Sequence, residues 1–283
     1  MKKNKKNYSA FVFFLFTIIF SYGQEIVIPD TVSIKTDDLQ LKALLWHPPG
    51  SGRFPAVIFC HGGYETNDTT YDLVENMSSI GSVFAKHGYV FLGLSRRGIG
   101  LSKGQGENGA DLMADAFKEK GQEGRNKIQL QQLQTDQLKD MLAGLSFLRK
   151  RKDVDTKRIG VIGHSFGGSL ALLVAEHEPG LKAAIVFSAA GYSWDRSPQL
   201  RMRLIKAVKN ISMPVMIIHA QNDYSLNPGY GLDSVLNQMH KPHLLKIYPD
   251  SGKSNREGHN MVFLNIKTWE ADVFKFLDEI LKY

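Results

Sequence analysis

Ser165 sits in the stretch Arg158 to Gly168, RIGVIGHSFGG, where a short apolar run stops at Gly-His-Ser-Phe-Gly and the small-residue text GSLALLVA follows. A serine hydroxyl is a weak nucleophile at neutral pH. It becomes useful when a base lies within hydrogen-bond reach, a third group orients that base, and a sharp turn exposes the oxygen. A G-x-S-x-G pattern between a strand and a helix supplies that turn, with Gly163 and Gly167 small because a side chain at either place would meet the neighbouring strand or helix. The pattern predicts a strand over 159–163, a nucleophile at Ser165 and a helix starting near Phe166.

The partners of Ser165 must come from other loops at the same end of the sheet. Seven acids lie between Ser165 and His259. Glu176 and Glu178 close the helix that starts at Phe166 and are carried away, and Asp233 falls inside a predicted helix. Asp223 has the best placement, three residues after the strand-like VMIIHA; Asp250 is the runner-up, and Asp195 and Glu257 remain further candidates. Among the histidines, His177 ends a helix, His240 and His243 flank the start of a strand, and His219 reads as a packed residue. His259, in the loop SGKSNREGHNMVF before the last helix, is the one placed to reach over the crevice. The order Ser165, Asp223, His259 is that of a nucleophile-elbow hydrolase. An oxyanion needs backbone donors: Phe166 N–H follows the nucleophile, and Gly63 and Tyr64 lie in the turn HGGY directly after the apolar run AVIFC. His61 reads as a brace for that turn, and the Tyr64 hydroxyl is a further possible donor.

These residues need a scaffold. Residues 25–46 alternate polar and apolar, the pattern of antiparallel strands at a sheet edge. Past Pro55 come nearly continuous apolar runs at 56–60, 89–94, 159–163, 183–188, 215–220 and 244–248, with helix-length text between them. Strands that are apolar on both faces belong to a parallel sheet covered by helices on each side. Helices are expected over about 76–87, 130–151, 166–178, 229–240 and 262–282. Residues 103–129, polar and glycine-rich, break this rhythm and read as an insertion, either a flexible surface loop or a flap over the site. The basic stretch 200–209, LRMRLIKAVK, reads as a cap or surface helix.

At this point the text resembles a family. FCHGGYETND, LSRRGIGLSKG, IGVIGHSFGG, IIHAQNDYSLNP and GKSNREGHNMVF are similar to α/β-hydrolase fold proteins, within them the dienelactone-hydrolase-like and prolyl-oligopeptidase-like branch, over roughly residues 40–283. The resemblance implies an α/β-hydrolase fold, a mostly parallel central sheet with antiparallel N-terminal strands and helices on both faces. It carries the family's catalytic triad onto Ser165, Asp223 and His259 and its oxyanion loop onto Gly63 and Tyr64. Two differences stand out: dienelactone hydrolases proper carry cysteine where this chain has Ser165, and prolyl oligopeptidases add a propeller domain.

The totals fit that expectation. The 283 residues, 43% of them apolar, suffice for one large core. The start is basic at Lys2, Lys3, Lys5 and Lys6, then apolar over FVFFLFTIIF, then small at Ser21-Tyr22-Gly23, a secretory signal with cleavage expected after Gly23; an uncleaved anchor is the other reading. The expected organisation is thus a signal peptide over 1–23, a single hydrolase domain over 24–283, and a secreted or periplasmic location with no stable membrane span after cleavage. The net charge of +7 falls to +3 without the four leading lysines, too little to argue for a nucleic-acid partner. Lone Cys60 allows no internal disulfide and reads as core. Arg96 and Arg97 read as structural, or as a grip on an acidic substrate group; no metal-binding motif and no cofactor motif is present. The expected activity is a serine hydrolase cleaving a carboxylic ester of a small molecule or an acylated carbohydrate through an acyl-enzyme. A peptidase for short peptides and a non-catalytic binding protein on the same fold are the alternatives.

Overall fold

The computed structural model describes residues 27–64, 66 and 72–282; the expected signal peptide lies outside the described residues. The chain opens with β1 (Asp30–Thr36) and β2 (Leu39–Trp46), an antiparallel pair. Then follow β3 (Phe54–Cys60), α1 (Leu73–Lys86), β4 (Val90–Ser95), α2 (Gly109–Gln134), α3 (Asp136–Arg149), β5 (Val154–His164) and α4 (Phe166–His177). The second half adds β6 (Ala183–Phe187), α5 (Pro198–Asn210), β7 (Val215–Ala220), α6 (Asn227–Gln238) and β8 (His243–Tyr248). It ends with α7 (Asn255–His259), α8 (Met261–Leu264) and α9 (Ile266–Leu281).

The strands form one sheet in the order β1-β2-β4-β3-β5-β6-β7-β8. β2 runs antiparallel to β4, and every pairing from β4 through β8 is parallel. This is the α/β-hydrolase fold that the sequence leads one to expect. Successive residues of a strand point to opposite faces, and β3 shows why the runs had to be continuous: Ala56, Ile58 and Cys60 enter one core, and Val57 and Phe59 enter the other. The first core lies under α3, α4, α5 and α6, the second under α1 and α9. Burial pushes the Cys60 thiol up to about 12, so it stays a packed, uncharged group.

Two expectations are corrected. Residues 103–129 are not an irregular loop: most of them form α2, capped by Asn108, whose Oδ1 accepts the Ala110 N–H at 2.9 Å. Its buried face is built from Gly124, Gln129 and Gln132 besides Met113 and Leu133, so an apolar period of 3.6 is missing from the text. The helix expected over 130–151 is the tail of α2 followed by α3, separated at Thr135. The basic stretch 200–209 lies in α5, which turns Leu200, Leu204, Ala207 and Val208 inward as part of the layer beside α4 and α6. It is a surface helix and not a cap.

Candidate active site

Because β3 to β8 are parallel, the segments after all six of their carboxyl ends emerge at one edge of the sheet. Ser165 stands there, between β5 and α4, with φ 56° and ψ −118°. That left-handed φ is costly for a residue with a Cβ and is held by its surroundings. Ser165 N donates to Phe187 O of the adjacent strand at 2.9 Å. The flanking glycines make room: a Cβ on Gly167 would lie 2.0 Å from Cys60 O, and one on Gly163 would lie 2.1 Å from Gly167 O.

His259 ends α7. That short helix begins with a capping box, in which Ser254 accepts from Glu257 N and the Glu257 carboxylate reaches back to Ser254 N at 3.0 Å. His259 Nε2 lies 2.8 Å from Ser165 Oγ, and its Nδ1 lies 2.6 Å from Asp223 Oδ1. Ser165, His259 and Asp223 are thus brought together in one hydrogen-bonded line. The Asp223 carboxylate is buried, which alone would raise its pKa, but hydrogen bonds from His219 and His259 outweigh burial and hold it well below the usual carboxylate range. An ionised acid that accepts Nδ1–H leaves Nε2 as a lone-pair acceptor aimed at the serine hydroxyl.

The other acids that the sequence offered are placed elsewhere. Asp195 accepts from Ser225 Oγ at 2.6 Å and Asn227 Nδ2 at 2.9 Å, bracing the loop after Asp223. Glu257 is committed to its capping box, and Asp250 is exposed.

Gly63 and Phe166 are neighbours: a Cβ on Gly63 would lie 3.6 Å from Phe166 Cβ. Phe166 opens α4, so its N–H belongs to the first turn, where amides have no intrahelical acceptor. The Tyr64 hydroxyl lies 3.4 Å from His164 Nδ1, and the Tyr64 carbonyl accepts from Asn108 Nδ2 at 3.0 Å. His61 braces this turn, its Nδ1–H donating to Gly62 O at 2.7 Å while Nε2 accepts Arg96 N–H at 3.2 Å. The Arg96 guanidinium is buried beneath the same turn, donating to His61 O at 2.7 Å, to Gly62 O at 3.0 Å and to Gln137 Oε1 at 2.6 Å. Arg97 points to Asp140, Asp136 and Asp37. Both arginines are occupied by the fold.

A cavity of about 810 Å³ opens over Ser165 and His259. α2 lines it with Met113, Phe117 and Gln129, and Tyr192 and Tyr224 line it too, their rings edge-on at 5.6 Å and Arg125 of α2 5.2 Å from the centre of the Tyr192 ring. The segment read as a loop or a flap is therefore a helical wall of the site.

Several contributors carried no sequence signal. Asn222 stitches two loops together: its Oδ1 accepts Ser251 N–H at 2.9 Å, and its Nδ2 donates to Ser251 O and Ser254 O at 3.1 Å. Asn255 Nδ2 donates to Asp223 O at 3.2 Å. His164 Nε2–H donates to His259 O at 2.9 Å, and burial, with the nearby His259, pulls the His164 pKa down to about 3, so the ring stays neutral.

A family model described as the dienelactone hydrolase family matches residues 41–261. Among curated proteins, the chain is 22% identical over 276 residues to dipeptidyl-peptidase 5 of Porphyromonas endodontalis, a match covering 85% of this chain and 36% of that protein. Among solved structures, it superposes on an acylaminoacyl peptidase of Pyrococcus horikoshii with a TM-score of 0.62 at 19% identity, covering 92% of this chain and 43% of that one. A Pyrococcus furiosus esterase superposes with a TM-score of 0.62 at 17% identity, covering 90% of this chain and 91% of the esterase. The chain thus spans less than half the length of either peptidase.

Proposed function

Since the chain belongs to the dienelactone hydrolase family, we propose that it is a serine hydrolase that cleaves a carboxylic ester through an acyl-enzyme. The observation that carries this proposal is the line from Ser165 Oγ to His259 at 2.8 Å and on to Asp223 at 2.6 Å. Ser165 Oγ attacks the acyl carbonyl while His259 Nε2 takes its proton. Asp223 fixes the imidazole orientation and stabilises the imidazolium. The oxyanion forms beside Gly63, Tyr64 and Phe166, whose backbone N–H groups receive it; one such donor is worth about 3 kcal/mol of barrier. His259 then protonates the departing alcohol, and water, activated by the same base, clears the acyl group.

The substrate we propose is a small acylated molecule, an acylated carbohydrate included. The hollow over Ser165 supports this, since Met113 and Phe117 offer apolar surface while Tyr192 and Tyr224 offer rings with polar edges. The names of the two peptidases favour a second reading, cleavage of short peptides. We also read residues 1–23 as an export signal, which makes the mature protein secreted or periplasmic. An intact mass of exported protein that retains those residues would remove that part.

A fluorophosphonate probe should label Ser165 in the folded wild type and leave Ser165→Ala unlabelled. Absence of labelling in the wild type would favour a binding protein instead. A panel of acyl esters and aminoacyl amides, with Ser165→Ala as the blank, then separates esterase from peptidase.

A further inference from the structure

Asp223 serves two histidines. His259 Nδ1 lies 2.6 Å from Oδ1, and His219 Nδ1 lies 2.7 Å from Oδ2. Tyr224 N–H also reaches Oδ1, at 2.7 Å. His219 sits on β7 with no exposed surface, and its Nε2 is a buried atom with no hydrogen-bond partner among the described residues. Gly229 of α6 lies against the ring: a Cβ there would fall 3.0 Å from His219 Cδ2 and 3.3 Å from Nε2.

Nδ1 is the ring nitrogen that faces the carboxylate, so its N–H is donated to Oδ2. A histidine that only filled space would have no need of that bond.

We propose that His219 is a positioning residue of the hydrolytic site: it pins Asp223 Oδ2 so that Oδ1 is the oxygen presented to His259. The proposal rests on the reading of Ser165, His259 and Asp223 given above. The two oxygens of a carboxylate are chemically equal, and rotation about χ2 of aspartate is broad and roughly two-fold. With His219 gone, Oδ2 is a buried carboxylate oxygen without a donor. The carboxyl group then swings toward another donor or takes up a proton, and either outcome costs His259 its oriented, charged acceptor. His219 is absent from the described cavity wall, so its influence passes through Asp223 to the reacting atoms.

The test compares His219→Leu with His219→Asn, whose side-chain amide can place an N–H where Nδ1–H stood. Both are assayed well below their melting temperatures with the best ester of the panel. The leucine variant is expected to lose about 10- to 100-fold in kcat, the scale of a hydrogen bond to a charged group, with KM within a factor of two. The asparagine variant is expected to recover most of that loss. Low-field proton NMR of the wild type should show two imidazole N–H signals that both depend on Asp223, one of them missing in His219→Asn. Wild-type kcat in the leucine variant overturns the proposal, as does an equal loss in both variants. Should the leucine variant not fold, a single low-field signal in the wild type overturns it as well. Wild type that no fluorophosphonate labels overturns the hydrolase reading together with this one. Labelled wild type that is indifferent to residue 219 overturns this one alone.

Discussion

Arg96→Met separates a structural arginine from a substrate-gripping one. Arg96 is 2% exposed, and its guanidinium donates to His61 O, Gly62 O and Gln137 Oε1 and lies 5.3 Å from the centre of the Phe166 ring. Methionine keeps much of the apolar length and none of the donors. Each hydrogen bond to a charged group is worth roughly 1.5–3 kcal/mol. Relaxation keeps three such losses from adding in full, so about 3–5 kcal/mol is expected, the range seen when one partner of a buried charged network is removed. At about 2–4 °C per kcal/mol for a domain of this size, the melting temperature should fall by roughly 10 °C. The freed carbonyls belong to the turn that carries Gly63, so an oxyanion donor drifts and kcat should drop about 100-fold with KM nearly constant. Arg96→Lys should fall between, since one ammonium cannot reproduce the fork that serves two carbonyls and Gln137 at once. Urea or thermal melts followed by circular dichroism, together with ester kinetics, read both effects. A methionine variant that melts like the wild type but shows a raised KM would refute this reasoning and return Arg96 to the substrate.

Three further outcomes follow from the same geometry. Gly167→Ala drives a methyl into Cys60 O and His61 O and should cost more than about 4 kcal/mol, measured by urea denaturation; a folded, fully active variant would dismiss the tight elbow. Stability should fall on acidification from pH 6.5 toward 3. His164 has a native pKa of about 3 against about 6.5 unfolded, so the unfolded chain binds the extra proton throughout that window, a loss of about 2 kcal/mol by pH 5. His61, held well below its ordinary value by burial and by Arg96, acts in the same direction, and the contribution of Asp223 begins to be lost as the pH nears about 4, its ordinary range, and continues to fall below it. A urea midpoint that stays flat from pH 7 to 5 would contradict this. Ala114→Trp, on the α2 wall, should raise KM for bulky esters about tenfold and leave acetyl esters unchanged; equal effects on both would detach α2 from substrate binding.

How much of this was legible in the sequence depended on which interactions leave a local trace. The elbow was legible because a left-handed serine packed against two backbones needs glycines at fixed offsets, and Gly163 and Gly167 stand there. Asp223 and His259 were legible from topology, since only acids and histidines after strand ends could reach Ser165. α2 was not, because helices announce themselves through apolar period and this one buries Gln129, Gln132 and Gly124. Asn222, Asn255 and His219 were hidden for another reason. Their bonds join polar side chains to partners that only the fold brings into place, and such contacts have no period and no composition.

A common device ties these parts together. Three of the parallel strands deliver a buried histidine at or just past their carboxyl ends: His61 after β3, His164 at the end of β5 and His219 near the end of β7. Each spends its Nδ1 or Nε2 on holding a segment that carries a proposed functional group. His61 receives Arg96 N–H and grips the turn before Gly63; His164 donates to the carbonyl of His259; His219 donates to Asp223. Aliphatic residues at these places would pack as well, but they would leave a carbonyl, a carboxylate oxygen and an amide unpaired in the interior, each at about 1–3 kcal/mol. Lysine or arginine would bring a charge that needs its own partner. A neutral imidazole supplies one donor and one acceptor on a rigid, largely apolar ring, which lets it reach out of a hydrophobic strand end without carrying charge there. On this account the proposed site is positioned by a row of three buried histidines at strand ends. His164→Phe should then release the His259 carbonyl and lower kcat while leaving KM in place, and ester kinetics showing a KM effect alone would break the analogy among the three.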